Sequence, residues 1–185
     1  MNVEAKSRKP VGVRDYVALA LSTFGVGYIP GAPGTYGSVI GVAIYLFVGM
    51  HLAGAAEHGL SAGRQAEFIA GFHFAVIAIA FTAFALAGIW SAGRVTELFG
   101  RDDPHEAVVD EVMGQIITFF FIPFTMSWKW VLAGFLLFRL FDIWKPYPID
   151  TLQQLPRGLG VCADDILAGV YAGICLAIIY AVILM

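Results

Sequence analysis

Long apolar runs alternate along the chain with short, densely polar stretches, and the runs have the lengths of membrane helices. The clearest covers residues 68–90, which hold no charged side chain and match the ~20 residues that a bilayer core demands. Further runs cover residues 38–52 (reaching toward 56), 107–124, 130–144 and 164–185. The pattern predicts an all-α, polytopic membrane helix bundle of about five hydrophobic segments. Residues 16–24 are apolar but too short to cross, and read as a short N-terminal helix at the interface. Between residues 25 and 34 lie Gly25, Gly27, Pro30, Gly31, Pro33 and Gly34, which exclude a regular helix there. The helix is expected from Gly37 onward, with Thr35 as its N-cap. Residues 55–65 read as a polar loop, 91–106 as a polar connection whose first half extends the preceding helix, and 125–129 as a tight turn.

Composition supports this class. Of 185 residues, 59% are hydrophobic and only 14% charged, where a soluble domain carries about a quarter charged. Mean hydropathy is +0.78. One membrane-embedded domain, residues 1–185, is expected, with residues 1–14 as a polar cytoplasmic tail. No apolar core follows within the first fifteen residues, so a cleavable signal peptide is not expected. A net charge of −3 leaves no footprint for nucleic acid. Cys162 and Cys175 read as small packing residues, and neither opens a Cys-x5-Arg phosphate loop. Lys6, Arg8, Lys9, Arg14, Arg94, Arg101, Lys145 and Arg157 fall on one side of the expected spans, Arg64 and Lys129 on the other. The positive-inside rule makes the first side cytoplasmic.

That orientation brings four polar features to one membrane surface. Asp110-Glu111 and Asp164-Asp165 each open an apolar run. One reading is helix-dipole charge, for which a single carboxylate suffices. The other is an oxygen-rich site for a hard cation such as Mg²⁺. Arg139, Asp142 and Lys145 step by three along one helix. They form either an internal ion pair with a snorkelling lysine or a phosphate clamp. The stretch 34–38, Gly-Thr-Tyr-Gly-Ser, is either a tight surface turn or a donor of backbone N–H and hydroxyl groups to phosphate. Asp102, Asp103, His105 and Glu106 read as a solvated loop, and His51, His58 and His73 receive no role.

Together these pieces resemble the bacterial phosphatidylglycerophosphatase A family. The resemblance rests on PGTYGS (33–38), VDEVMGQ (109–115), FRLFDIWKPYPI (138–149) and GLGVCADDILAG (158–169), in the family's order, and reaches from about residue 22 to the C-terminus. It implies a Mg²⁺-dependent enzyme of the bacterial cytoplasmic (inner) membrane. Such an enzyme hydrolyses phosphatidylglycerophosphate to phosphatidylglycerol and inorganic phosphate in phospholipid biosynthesis. Asp110, Glu111, Asp142, Asp164 and Asp165 then form the acidic centre, with Asp110, Glu111, Asp164 and Asp165 as metal ligands. Arg139 and Lys145 hold the phosphate, with Thr35 and Ser38 close by.

The chain contains no DxDx[TV] nucleophile motif. Direct attack by a metal-activated water is favoured, with Asp165 as general base; a covalent aspartyl-phosphate stays open. Rival readings are a phosphatase for another lipid or isoprenoid phosphate, a cation-coupled transporter and a non-catalytic scaffold. Transporter sites lie near the bilayer midplane, commonly between repeats, whereas here the charged motifs gather at one surface and no internal repeat is visible.

Overall fold

A computed structural model describes residues 7–184. The first part of the expected tail, including Lys6, and the terminal Met185 lie outside the described residues. The chain folds as helices α1 (Val13–Thr23), α2 (Pro33–Ser61), α3 (Ala66–Phe99), α4 (Val109–Thr118), α5 (Trp128–Trp144), α6 (Ile149–Leu152) and α7 (Gly158–Leu184). Short 3-10 turns lie at Val26–Tyr28 and Phe119–Phe121, and there is no strand among the described residues.

Among the described residues three helices, α2, α3 and α7, are long and apolar enough to cross a membrane. At 1.5 Å per residue they run roughly 40–50 Å. The expected count of about five is not matched at full length. α5 spans 17 residues, about 25 Å, and α4 only 10, about 15 Å, against a hydrocarbon core of ~30 Å. The run 107–124 splits because its helix gives way to the turn at Phe119–Phe121 and then to extended Ile122.

Three boundaries differ most from the sequence expectation. α7 begins at Gly158, six residues before the run expected from residue 164, so Asp164 and Asp165 lie inside the helix and not at its N-terminus. The other two are the ends of α2. α2 begins at Pro33 with Ala32 as N-cap, four residues before Gly37. Pro33 suits a first helical position, where its missing N–H costs nothing. Thr35 is therefore inside the helix, its own N–H bonded to Ala32 O at 3.0 Å. At the other end α2 continues to Ser61, through the stretch expected as a loop from residue 55. Gly54 and Gly59 weaken that helix but do not break it, and no proline interrupts it.

α4 is the hub. Every residue from Val109 to Thr118 is buried except half-buried Glu111. α7, α2, α5 and α3 pack around it. Small residues permit these approaches, as in membrane bundles generally. A Cβ on Gly169 would strike the carbonyl of Gly114, and one on Gly114 would strike Phe138 and the Asp165 carbonyl. On the α2 side, Gly37 and Gly41 lie against Val108, Val112 and Gln115. Gly169→Val is expected to wedge α7 off α4 at about 1–3 kcal/mol or more. Its thermal midpoint in detergent is read against that of Gly71→Val, where a Cβ meets nothing within 4 Å.

At the far end of α2, the Tyr45 hydroxyl accepts from the Thr125 N–H at 2.9 Å and donates to its carbonyl at 3.2 Å. That satisfies irregular backbone where water is scarce. At the opposite end the N-terminal segment is tied down. Buried Asp15 accepts from Arg8 (3.0 Å), the Val11 N–H (2.8 Å) and Arg94 Nε (2.8 Å). The Val11 N–H, aided by the two arginines against the opposing effect of burial, holds the Asp15 carboxyl down at about 2. Both cysteines are free, and Cys162 packs with Ala92, Val109, Met113 and Val161 as a core residue.

Candidate active site

At the tail end of the bundle a cavity of about 790 Å³ opens between the start of α2, the 102–107 loop, α4, the end of α5, the 153–157 loop and the start of α7. Its lining includes Gly34, Asp110, Glu111, Arg139, Asp142, Lys145, Asp164 and Asp165. The charged motifs that stand far apart in sequence meet here.

Three carboxylates form its floor. Asp110 and Glu111 come from the first turn of α4, and Asp165 from the second turn of α7. Each offers one oxygen, and these oxygens lie within 4.8 Å of one another. The Gly114–Gly169 crossing creates the approach, since it draws the two helices together one turn deeper. Asp110 Oδ1 and Glu111 Oε2 are buried and have no hydrogen-bond partner. Three carboxyl groups so placed can all stay ionised only beside a counter-charge. Hard oxygen donors, unpartnered atoms and close spacing fit a divalent cation.

Asp164 and Asp165 are neighbours in sequence, both 3% exposed, but they point to different partners. Asp164 Oδ2 meets Lys145 Nζ at 2.5 Å and Gln153 Nε2 at 3.0 Å, while its Oδ1 stays unpartnered. Successive helix residues turn by about 100°, so one Asp faces α4 and the other faces the end of α5. Lys145 reaches Asp164 because it closes α5 in the left-handed region, φ 45°, with its N–H on Phe141 O. That conformation is uncommon for a side-chain-bearing residue. It takes Lys145 off the helical stripe that the sequence suggested. Arg139 and Asp142 do keep that stripe, paired at 2.5 Å.

Arg139 Nη1 also approaches Ser38 Oγ at 3.4 Å, and that hydroxyl donates to Gly34 O at 2.9 Å. Gly34 is required by space. A Cβ there would strike Glu111 Oε1 and lie 3.1 Å from Arg139 Nη1. Thr35 shares this turn but does not line the cavity. Asp102, Asp103 and His105 stand exposed at the rim, and Arg101 bonds Glu106 and meets His105. Gln153 had no signal in the sequence: a glutamine in a polar stretch between prolines reads as surface.

These motifs also carry a family match. The family model described as phosphatidylglycerophosphatase A covers residues 19–180. The chain belongs to the phosphatidylglycerophosphatase A family. Phosphatidylglycerophosphatase A of Haemophilus influenzae is 34% identical over 166 residues, 89% of this chain and 88% of that protein. Phosphatidylglycerophosphatase A of Escherichia coli K12 is 39% identical over 84 residues, 45% of this chain and 48% of that protein. A Bacteroides thetaiotaomicron protein bearing the name "Putative phosphatidylinositol-3-phosphatase" is 35% identical over 156 residues, 84% of this chain and 87% of its own length. No solved structure matches the chain. Membership makes this chain a phosphatase, and its three long apolar helices suit a membrane protein.

Proposed function

We propose that this chain hydrolyses the phosphate monoester of phosphatidylglycerophosphate, releasing phosphatidylglycerol and inorganic phosphate for phospholipid synthesis, with Mg²⁺ bound by Asp110, Glu111 and Asp165. The observation that carries the reading is the cluster of three carboxylates, two buried and Glu111 half-buried, set beside Arg139 and Lys145 in one cavity. Asp164, expected as a fourth metal ligand, stands outside this cluster of three and anchors Lys145 instead. The names of two relatives agree with this substrate. The third relative's name shares its chemistry, a phosphate monoester on a lipid headgroup.

A dianionic phosphate needs positive charge. Arg139 offers a planar fork to two phosphate oxygens, held in place by Asp142 and Ser38. Lys145 supplies a point charge that Asp164 and Gln153 anchor. Bound at the acidic cluster, Mg²⁺ would offset phosphate charge and ease ionisation of water. Asp165 would accept the proton of an attacking water; the P–O bond to glycerol breaks and the leaving oxygen takes up a proton. Attack by a carboxylate, giving an aspartyl-phosphate, is the alternative course. The acyl chains stay in lipid, against the apolar outer faces of the bundle.

Charge distribution supports a multi-pass protein of the inner membrane with this cavity at the cytoplasmic surface. Arg8, Arg94, Arg101, Lys145 and Arg157 gather at the cavity end, Arg64 and Lys129 at the other.

The test is phosphate release by the purified protein in detergent, with and without Mg²⁺. Phosphatidylglycerophosphate is compared with phosphatidylinositol 3-phosphate, an isoprenoid diphosphate and a soluble monoester. Mg²⁺-dependent release confined to the first is the expected result; release from another substrate alone would reassign the lipid. No release from any, with the protein folded, would favour the transporter. Lys145→Ala is expected to raise KM about ten-fold while leaving the Mg²⁺ concentration for half-activation unchanged. A shifted Mg²⁺ requirement at constant KM would remove Lys145 from the phosphate clamp.

A further inference from the structure

We propose that Arg157, at the rim of the cavity, is a second anion subsite that takes the phosphodiester of the lipid headgroup and so selects a substrate bearing two phosphates. This rests on the phosphatase reading above and adds a determinant of specificity to it. The three cations lining the cavity among the described residues differ in how they are engaged. Arg139 and Lys145 each pair with an aspartate inside at 2.5 Å. Arg157 has only Glu97 Oε1 at 3.5 Å, and its side chain is 77% exposed. An arginine has five N–H donors, so most of this fork has no protein acceptor among the described residues.

The position is built, although the side chain is exposed. Arg157 sits at φ 56°, a left-handed conformation rare outside glycine, and such strain concentrates at binding and catalytic sites. The next residue, Gly158, lies so close to Ile89 O and Gly93 N that a Cβ would collide. The Gly160 N–H donates to Arg157 O at 3.0 Å. Glu97 is itself fixed: Arg94 binds it at 3.0 Å and is in turn held by buried Asp15 at 2.8 Å. A chain of alternating charge thus runs from the core to the rim, with Glu97 as the positioning residue for Arg157.

The headgroup supplies the matching chemistry. Its monoester phosphate and its phosphodiester are joined through glycerol, and the diester lies on the acyl-chain side. With the monoester at Arg139 and Lys145, Arg157 is the remaining cation of the lining that could meet the diester. A volume of about 790 Å³ is in the range that holds ligands well beyond the size of a phosphate ion.

The test uses the full chain in mixed micelles with Mg²⁺, and the variants Arg157→Gln, Arg157→Lys and Glu97→Gln. KM and kcat for phosphatidylglycerophosphate are measured beside the inhibition constant of phosphatidate, a lipid with the monoester but no diester. Arg157→Gln is expected to raise KM about ten-fold with little change in kcat, while the phosphatidate constant moves far less. Arg157→Lys restores part of the loss, and Glu97→Gln gives a smaller rise in KM. An unchanged KM, or equal shifts for both lipids, would overturn the subsite while leaving the phosphatase reading intact. Absence of phosphate release from phosphatidylglycerophosphate by the wild-type chain would instead overturn the reading itself.

Discussion

Asp165→Asn is expected to cut phosphate release by about 10³-fold while leaving the protein folded. Asparagine matches aspartate in shape, so the close packing of α7 on α4 is retained. What is lost is one of the three carboxylate oxygens that lie within 4.8 Å of one another. Such a site loses both a ligand and a full negative charge, and with them the candidate general base. The prediction is checked by turnover beside a thermal melt in the same detergent. Removing charge from a crowded acidic cluster relieves repulsion, so the melting temperature without Mg²⁺ should hold or rise. A variant that loses activity only because it unfolds would show the opposite.

Gly34→Ala is expected to lower kcat/KM at least 100-fold, the second largest effect, from a single added methyl group. The new Cβ would occupy the space of Glu111 Oε1 and crowd Arg139 Nη1. A side-chain carboxylate can swing aside, so α2 need not unfold. Moving it takes Glu111 away from Asp110 and Asp165 and disturbs the fork of Arg139. Loss of activity with an unchanged melt is the expected signature, read from circular dichroism and steady-state rates. Full activity in Gly34→Ala would mean that Glu111 has no fixed place in the reaction.

The grouping of the charged residues was easier to read from sequence than the lengths of the helices. Charges are sparse in a membrane chain, so Asp110, Arg139, Lys145 and Asp165 stood out, and the single cavity that gathers them agrees with the expected convergence at one end. Lengths were less legible. Hydropathy counts apolar residues without telling whether they face lipid or protein, so α4, apolar because it is the core, looked like a crossing helix. The extension of α2 past residue 55 was hidden for a related reason: a Gly- and His-containing stretch without proline is compatible with helix or loop. The separate partners of Asp164 and Asp165 depend on the helix phase and on the left-handed Lys145. Pro146 marks the end of the helix at Lys145, but nothing in the sequence specifies the left-handed turn that aims this side chain at Asp164. Composition marks residues 1–14 as a polar tail but does not show that it is held from Arg8 onward by buried Asp15.

The most direct test of the central claim, that the clustered carboxylates hold the divalent cation used in catalysis, is a Mn²⁺ titration of the purified protein followed by electron paramagnetic resonance. Mn²⁺ stands in for Mg²⁺ at oxygen-ligand sites. The account predicts saturable binding in the wild-type chain that Mg²⁺ displaces, and loss of that binding in Asp165→Asn together with turnover. Turnover that survives full chelation of divalent cations, or Mn²⁺ binding that Asp165→Asn leaves unchanged, would contradict it.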